Sequence, residues 1–537
     1  MGQGGSRGDR PREGIVTDSF RSARPIDRRM DRLPADPPRS LGAVLAQLGP
    51  GLVLAAAVVG SGELIATTRV GAEAGFALLW LILIGCTVKV AAQVEIGRVT
   101  LTRGRTPLVA FDAVPGPRFA GRNWIFWSWA AMTALIVVQQ GGIVAGVAQT
   151  LAAGLPLTRS GAEWNRVHEE LAAVRIAEAA AVRTGADGEA RALGERRGGL
   201  EATRAALPAP VDTAWWCVVV AAVAAAVLGS GRYAVVERLS VVLVVVFVAI
   251  TLAAVVLLQF RPAWAITSRE FAAGLVPSLP PARDGRSPLP TALAAFGIIG
   301  VGASELMFYP YWCLAKGYGR AVGPRDESPA WAARARGWLR VLRADAWASM
   351  VVYTVVTVAF YLLGAATLGR IGLIPEGGDM IRSLAAMYAP VFGGASNTVF
   401  LVGGFAVLFS TLVAAADGNS RIIADGLALT GLVRDDEAAR AAWSRRIAVA
   451  WILAALVLAL VIREPVAMVL ASGLAQAIML AAIGVAVLHF RHREIDPRLA
   501  PGRAWDAVLW LSAAALIAVG GWTAWQQVVR LATRLAE

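Results

Sequence analysis

Residues 59–64 read Val-Gly-Ser-Gly-Glu-Leu, and residues 301–306 read Val-Gly-Ala-Ser-Glu-Leu. The two hexapeptides share Val, Gly, Glu and Leu at equivalent positions, and small residues fill the positions between Gly and Glu. Each interrupts an apolar segment, where glycine disfavours a continuous helix and a glutamate is costly in lipid. A repeated small-residue interruption that carries an acid predicts two broken helices around one polar site in a membrane protein.

The composition of the chain also indicates a membrane protein. Of its 537 residues, 57% are hydrophobic and 17% are charged, against roughly 25% charged in soluble domains. This composition excludes a soluble enzyme, a disordered protein and a secreted disulfide scaffold. The excess of 51 Lys and Arg over 38 acids lies in loops between apolar segments. That placement is typical of membrane orientation, so no nucleic-acid partner is expected.

Apolar segments of membrane-spanning length recur along the chain. They predict an all-α polytopic membrane protein with about eleven transmembrane helices, in which helices 1 and 6 are broken. The same motif at the start of each five-span half predicts an inverted repeat. The predicted spans are 49–68, 76–101, 124–155, 213–230, 235–259, 289–315, 344–368, 394–416, 446–462, 466–490 and 504–530.

Charge between the spans predicts the organisation of the chain. Residues 1–40 form a polar, basic, disordered tail, and the Arg-rich loops place this tail in the cytoplasm and the C-terminus outside the cell membrane. Residues 41–156 hold spans 1–3, and residues 213–537 hold spans 4–11. Between them, residues 157–212 carry eight Arg and nine acids. They predict an external insertion of two Ala-rich helices without transport chemistry.

The two hexapeptides supply the candidate site. We expect the carboxylates of Glu63 and Glu305 to face one another near the membrane midplane and to ligate a metal ion. Gln476 in span 10 is a candidate lining residue, and Gln139 and Gln140 are candidates for an inner pathway. Helix kinks and plain interhelical hydrogen bonds are the structural alternatives. The small residues expected to expose backbone at the site are Gly60, Ser61, Gly62, Gly302, Ala303 and Ser304.

Span 2 carries two further ionisable residues, Lys89 and Glu95. The lysine stem is long enough to reach the membrane interface, and its ammonium group also suits an ion pair with an acid. We therefore expect Lys89 to snorkel or to pair with a carboxylate, in a structural role.

Several short stretches resemble the natural-resistance-associated macrophage protein (NRAMP) family, a branch of the LeuT-type transporters. The resemblance runs from residue 49 to about residue 490. It implies a LeuT-type 5+5 inverted repeat and a secondary transporter of a divalent metal cation, with the lipid bilayer as surroundings and no cofactor. The stretches that carry it are GPG at 49–51, GA at 71–72, GF at 75–76, LLW at 78–80 and GIIG at 297–300.

The metal-binding motifs of the family differ in this sequence. The family's Asp-Pro-Gly-Asn motif aligns with residues 60–63, and its Met-Pro-His motif aligns with residues 304–306, which read Ser-Glu-Leu. Two carboxylates with backbone carbonyls suit a hard cation such as Mg²⁺ or Mn²⁺. The family's third-helix acids, linked to proton movement, align with Gln139 and Gly142. The remaining candidate proton carriers are then Glu63 and Glu305.

Two other function classes stay open. A LeuT-type transporter of a small organic solute, such as an amino acid or amine, would use the glutamates to pair an ammonium group. A sensor or structural membrane protein would keep the scaffold without turnover. An enzyme is not indicated, since the sequence has neither a phosphate-cradling glycine motif with Lys-Ser/Thr nor a Ser-His-Asp arrangement.

Overall fold

A computed structural model describes residues 35–230, 233–280 and 287–536, so most of the predicted tail lies outside the described residues. The described chain is helical apart from one antiparallel ribbon, in which Arg118–Phe119 pairs with Arg122–Asn123. Nine helices in these ranges are long and apolar enough to cross a membrane. The predicted all-α polytopic fold is therefore confirmed.

The helices follow the predicted order of spans, and we number them accordingly. Span 1 covers residues 50–74, and span 5 is the helix Tyr233–Leu258, with its apolar part at Val244–Leu258. The nine long apolar helices are span 2 (Leu79–Arg103), span 3 (Trp124–Gly154), span 4 (Asp212–Ser230), span 6 (Leu289–Ala315), span 7 (Pro329–Leu368), span 8 (Ala389–Leu429), span 9 (Ala438–Ile462), span 10 (Pro465–Glu494) and span 11 (Arg503–Thr533).

Finer divisions occur within and between these spans. Short α-helices are Leu41–Leu45, Pro107–Asp112, Ser268–Leu275, Tyr318–Val322, Met380–Ala386 and Ala389–Phe392. The 3₁₀ turns are Gly377–Asp379, Gly393–Ala395 and Pro497–Leu499, and π-helical turns close span 7 at Gly364–Leu368 and span 10 at Phe490–Glu494. The regular α-helical parts of the longer spans are Leu79–Thr87, Lys89–Arg103, Pro329–Leu363, Ser396–Leu429, Glu437–Ile462, Pro465–His489 and Arg503–Ala536.

Spans 7 and 8 are longer than the hydropathy predicts. Span 7 begins at Pro329 rather than near residue 344, because the Ser328 side chain caps the first turn by accepting the Trp331 N–H. Span 8 continues to Leu429 rather than ending near residue 416. Hydropathy marks the apolar part of a helix, whereas capping residues determine where the backbone stops being helical.

Span 6 is broken as predicted. Its halves are Leu289–Ile298 and Ala303–Ala315, and the backbone between them leaves the helical conformation. Gly300 has φ +65°, a conformation that favours glycine. A Cβ at this position would also lie 3.0 Å from Tyr353 Cε2 and 3.1 Å from Cys86 Cα. The break therefore depends on glycine for both its backbone angle and its packing.

Span 1 is interrupted in a different way. It remains helical but widens into a π-helix over Val59–Thr67, between the α-helices Pro50–Val58 and Thr68–Ala74. The Thr67 hydroxyl donates to the Gly62 carbonyl at 3.0 Å and so satisfies a backbone group inside the wide turn. The small residues of the hexapeptide thus change the helical pitch here without separating two half-helices.

Packing brings the two interrupted spans together at the centre of the bundle. Span 1 contacts spans 6, 7 and 8, and the first half of span 6 lies against span 10. Span 10 also packs on spans 3 and 11. The insertion forms the helices Arg159–Thr184 and Asp187–Ala206, which pack against each other.

Candidate functional site

Glu63 lies in the π-helical turn of span 1 and is fully buried. Its Oε1 accepts a hydrogen bond of 2.9 Å from the Gly300 N–H and lies 3.2 Å from the Thr357 hydroxyl. Its Oε2 has no hydrogen-bond partner among the described residues. Since buried polar atoms are rarely left unpaired, this oxygen is a candidate ligand atom.

Lys89 lies on span 2 beside the same break. Its side chain is fully buried, and the ammonium group donates to the Phe296 carbonyl and, at 2.8 Å, to the Ile299 carbonyl. Both carbonyls belong to the end of the first half of span 6. The predicted snorkelling or direct pairing with an acid was therefore wrong: Lys89 stays buried and binds the backbone.

Glu305 lies in the first turn of the second half of span 6 and is partly exposed. The Ser304 hydroxyl donates to Glu305 Oε2 at 2.6 Å, and the Ser304 N–H donates to Gln476 Oε1 at 3.3 Å. Gln476 Nε2 in turn donates to Gln139 Oε1 at 3.0 Å. A continuous polar chain therefore links spans 6, 10 and 3.

Gly302 and Ala303 form the junction between the break and the second half-helix. A Cβ at position 302 would overlap Glu305 Oε2 and Gln476 Oε1, so glycine makes room for both polar side chains. Ala303 is the first residue of the half-helix and is fully buried.

The small residues of span 1 allow close approach to its neighbours. A Cβ at Gly60 would overlap the Thr411 side chain of span 8. At Gly62 it would lie 3.0 Å from the Ile298 carbonyl oxygen, at the end of the first half of span 6. The side chain of Ser61 lies outside the part of the chain that the structure describes.

The two glutamates flank the break on separate networks. Glu63 holds the Gly300 N–H within the break, whereas Glu305 lies in the half-helix that follows it. No hydrogen bond joins their carboxylates in the described ranges, and no group of three or more His, Cys, Asp or Glu there forms a metal cluster. A cation between them would therefore draw further ligands from backbone, hydroxyl or amide oxygens.

Comparison with known proteins shows the family of this chain. A family model described as natural resistance-associated macrophage protein-like (Nramp) matches residues 182–526. The chain belongs to this family. Members of the Nramp family are membrane transporters and not enzymes. The matched region of this Nramp-like protein includes the second hexapeptide but not the first.

Solved structures confirm the LeuT-type fold of this Nramp-like protein. A mutant of the Eremococcus coleocola manganese transporter superposes with a TM-score of 0.58 at 15% identity, covering 90% of this chain and 88% of that one. The same transporter bound to an aromatic bis-isothiourea substituted compound gives 0.55 at 15% identity, with 91% and 89% covered. MhsT in complex with L-phenylalanine gives 0.50 at 15% identity, with 88% and 98% covered. No curated protein sequence gave a significant match.

Sequence reasoning missed three residues around the site of this Nramp-like protein. Thr357 contacts Glu63, Tyr353 packs on the break, and Ser472 donates to Gln139 at 2.7 Å. Only Ser472 had a recognisable signal, since it lies four residues before Gln476 and so on the same helix face. In the sequence, Thr357 and Tyr353 are ordinary residues of an apolar helix, and only the fold shows that they lie at the site.

Gln139 and Gln140 differ in their surroundings. Gln139 belongs to the polar chain that reaches Glu305, whereas Gln140 is buried beside it and its Oε1 has no partner among the described residues.

Proposed function

We propose that this Nramp-like protein is a secondary transporter that moves a divalent metal cation across the cell membrane by alternating access. The observation that carries the proposal is the buried carboxylate of Glu63, whose Oε2 has no partner among the described residues. An unpaired carboxylate oxygen at this depth is costly, and a cation would remove that cost. Glu305 adds a second, partly exposed carboxylate beyond the same break.

The surrounding atoms favour a hard cation such as Mg²⁺ or Mn²⁺. Among the described residues, the side chains that hydrogen-bond to Glu63 and Glu305 do so through the hydroxyls of Thr357 and Ser304. Gln476 contributes an amide oxygen next to Ser304. Oxygen ligands select hard cations, whereas thiolate, thioether and imidazole ligands select softer transition metals.

Alternating access would move spans 1 and 6 relative to the rest of the bundle. In transporters with broken helices the substrate site lies at the midplane, where half-helix ends and unwound backbone meet. In our proposal the tail is cytoplasmic, and the insertion and the C-terminus are external. Glu63 and Glu305 would carry the substrate ion and are the candidate carriers of any coupled proton.

A small organic cation is the second candidate substrate, and the charge of Lys89 favours it. The ammonium group of Lys89 lies at the same break as Glu63 and Glu305. With all three side chains ionised, the site has one more negative than positive charge. The ammonium group of an amine would neutralise it, and that of an amino acid would pair with one of the carboxylates, since buried charges are stable when paired.

The test is uptake by purified full-length protein in liposomes. One panel contains Mg²⁺, Mn²⁺, Ca²⁺ and Zn²⁺, and the other contains radiolabelled amino acids and primary amines. We expect saturable uptake of Mg²⁺ or Mn²⁺ in excess of Zn²⁺, with protein-free liposomes as the control. If only an organic solute is taken up, the substrate is that solute and not a metal cation. Absence of flux for every compound, from folded and inserted protein, would contradict transport altogether.

A further inference from the structure

The break in span 6 frees particular backbone groups. In an uninterrupted helix the Gly300 N–H would donate to the Phe296 carbonyl, four residues earlier. Instead, that N–H donates to Glu63, and the Phe296 carbonyl accepts from Lys89. Lys89 also binds the Ile299 carbonyl at 2.8 Å. Two charged side chains thus take over hydrogen bonds that a continuous helix would make for itself.

One peptide unit connects these two side chains. The peptide between Ile299 and Gly300 presents its carbonyl to Lys89 and its N–H to Glu63. The two charges therefore lie at opposite ends of a single peptide dipole, and each polarises the bond that the other makes. The ammonium group also complements the partial negative charge at the C-terminal end of the half-helix Leu289–Ile298.

This position is one where a mobile cation would be expected. In broken-helix transporters, unwound carbonyls and the C-terminal ends of half-helices coordinate Na⁺ or H⁺. Here the ammonium group of Lys89, fully buried and 5.1 Å from the Phe296 ring centroid, holds two such carbonyls. We infer that Lys89 is a resident cation that replaces a coupling monovalent ion at the break and keeps the Gly300 N–H directed at Glu63.

The choice of lysine fits this role. The chain has 51 basic residues, and only Lys89 and Lys316 are lysines. An ammonium group is a compact charge with three donors, whereas the arginine guanidinium is a planar fork of fixed geometry. Two backbone carbonyls in a buried position suit the compact group. Lys89 is thus a positioning residue that acts on the site through the 299–300 peptide.

Chemical rescue tests the inference. Lys89→Ala leaves space for a small cation, whereas Lys89→Met fills that space without a charge. We expect both variants of the purified full-length protein to unfold at a lower temperature than wild type. Methylammonium chloride should raise the unfolding temperature of Lys89→Ala towards the wild-type value, with a saturable dependence on its concentration. For Lys89→Met and wild type, methylammonium chloride should have no more effect than choline chloride. A side chain that contributes only the packing of its aliphatic stem would show no such difference between the two variants.

Other results would overturn the inference. If Lys89→Met unfolds at the wild-type temperature, the charge is not needed. If methylammonium does not change the unfolding temperature of Lys89→Ala, no cation position exists. If Lys89→Ala folds in neither salt, Lys89→Gln provides the test, because glutamine is a neutral hydrogen-bond donor. A wild-type unfolding temperature for Lys89→Gln would contradict the role of the charge, and a lowered unfolding temperature would support it. The inference rests on the proposed function only in assigning Glu63 to the site. The unfolding assay needs no cargo, so either claim can fail alone.

Discussion

The backbone N–H of Gly300 donates a hydrogen bond of 2.9 Å to the carboxylate of Glu63, 237 residues away in the sequence. This bond joins the π-helical turn of span 1 to the break of span 6, which are the two interrupted elements of the fold. Movement of either span relative to the other must lengthen or break it. The orientation of the Glu63 carboxylate is therefore tied to the relative position of the two spans.

Gly300→Ala should abolish transport as well as lower stability. An L-residue at φ +65° is strained by about 1–2 kcal/mol, and the new Cβ would press on Tyr353 and Cys86. Gly372→Ala is the matched control, since Gly372 has the same φ of +65° and open space around its Cβ position. Thermal unfolding and uptake should show a loss of stability for both variants and a loss of flux only for position 300. Equal flux from the two variants would argue against the role of the break.

Thr357→Val should weaken substrate binding. The Thr357 hydroxyl lies 3.2 Å from Glu63 Oε1 and 2.6 Å from the Tyr353 carbonyl oxygen, so it orients the carboxylate. Loss of such a contact costs about 1 kcal/mol, which corresponds to a several-fold higher half-saturation concentration. Thr354→Val serves as the control, because its hydroxyl contacts Met350 on the same helix instead. Unchanged half-saturation for Thr357→Val would remove this residue from the site.

Asp345→Asn should loosen the start of span 1. The Asp345 carboxylate on span 7 accepts the Gly49 N–H at 3.0 Å, the Gly51 N–H at 2.6 Å and the Tyr309 hydroxyl at 2.8 Å. It thereby ties span 1 to the second half of span 6. We expect faster maleimide labelling of the buried Cys313, located by mass spectrometry, and lower flux.

Asp417→Asn is the control for this experiment, because Asp417 pairs with Arg421 one turn along the same helix. If Asp345→Asn leaves the labelling of Cys313 as slow as in wild type, the carboxylate does not hold the start of span 1 against span 6.

Acid should release the insertion from the bundle. Burial raises the pKa of Asp379, but its hydrogen bond to His168 and the charges of His168, Arg382 and Arg204 outweigh burial, so the pKa lies below the ordinary value. A carboxyl group whose pKa is lowered in the folded state stabilises the fold at pH values above its unfolded-state pKa, which is about 3.9 for Asp. That contribution is lost as the pH falls through the lower, folded-state pKa.

Hydrogen exchange over the helix Arg159–Thr184, corrected for the intrinsic rate, measures this release. Protection should fall below about pH 4 in wild type and be weak at every pH in Asp379→Asn. Asp187→Asn, which changes an exposed residue at the start of the second insertion helix, should behave as wild type. Protection that does not change with pH in wild type would contradict the role of Asp379.

Periodic features of the sequence were sufficient to predict much of the architecture. Hydropathy placed the spans, and the repeated hexapeptide indicated that span 6 is interrupted. The break itself lies slightly earlier, between Ile298 and Ala303, and the last four residues of the hexapeptide are helical. The π-helix of span 1 was not foreseen, because glycine signals a weakened helix without specifying its pitch. The same motif therefore adopts two different backbone conformations. In span 6, side chains of neighbouring spans bind the backbone groups that the break frees, whereas in span 1 the Thr67 hydroxyl of the same helix binds the Gly62 carbonyl.

Long-range contacts explain what the sequence could not reveal about the site. Thr357 meets Glu63 across 294 residues, and Lys89 meets Phe296 across 207. Neither pair has a spacing that a helix or a turn would impose. A buried lysine also has several plausible partners in a sequence, and only the fold shows that backbone carbonyls bind it.

Uptake of the ion selected in the liposome panel, measured for Glu63→Gln and Glu305→Gln, is the decisive measurement. Glu195→Gln is the matched control, since it removes an exposed carboxylate from the insertion. We predict that flux falls to the level of protein-free liposomes for the first two variants and stays at the wild-type rate for the third. Wild-type flux from either of the first two, at equal incorporation into liposomes, would contradict a two-carboxylate cation site.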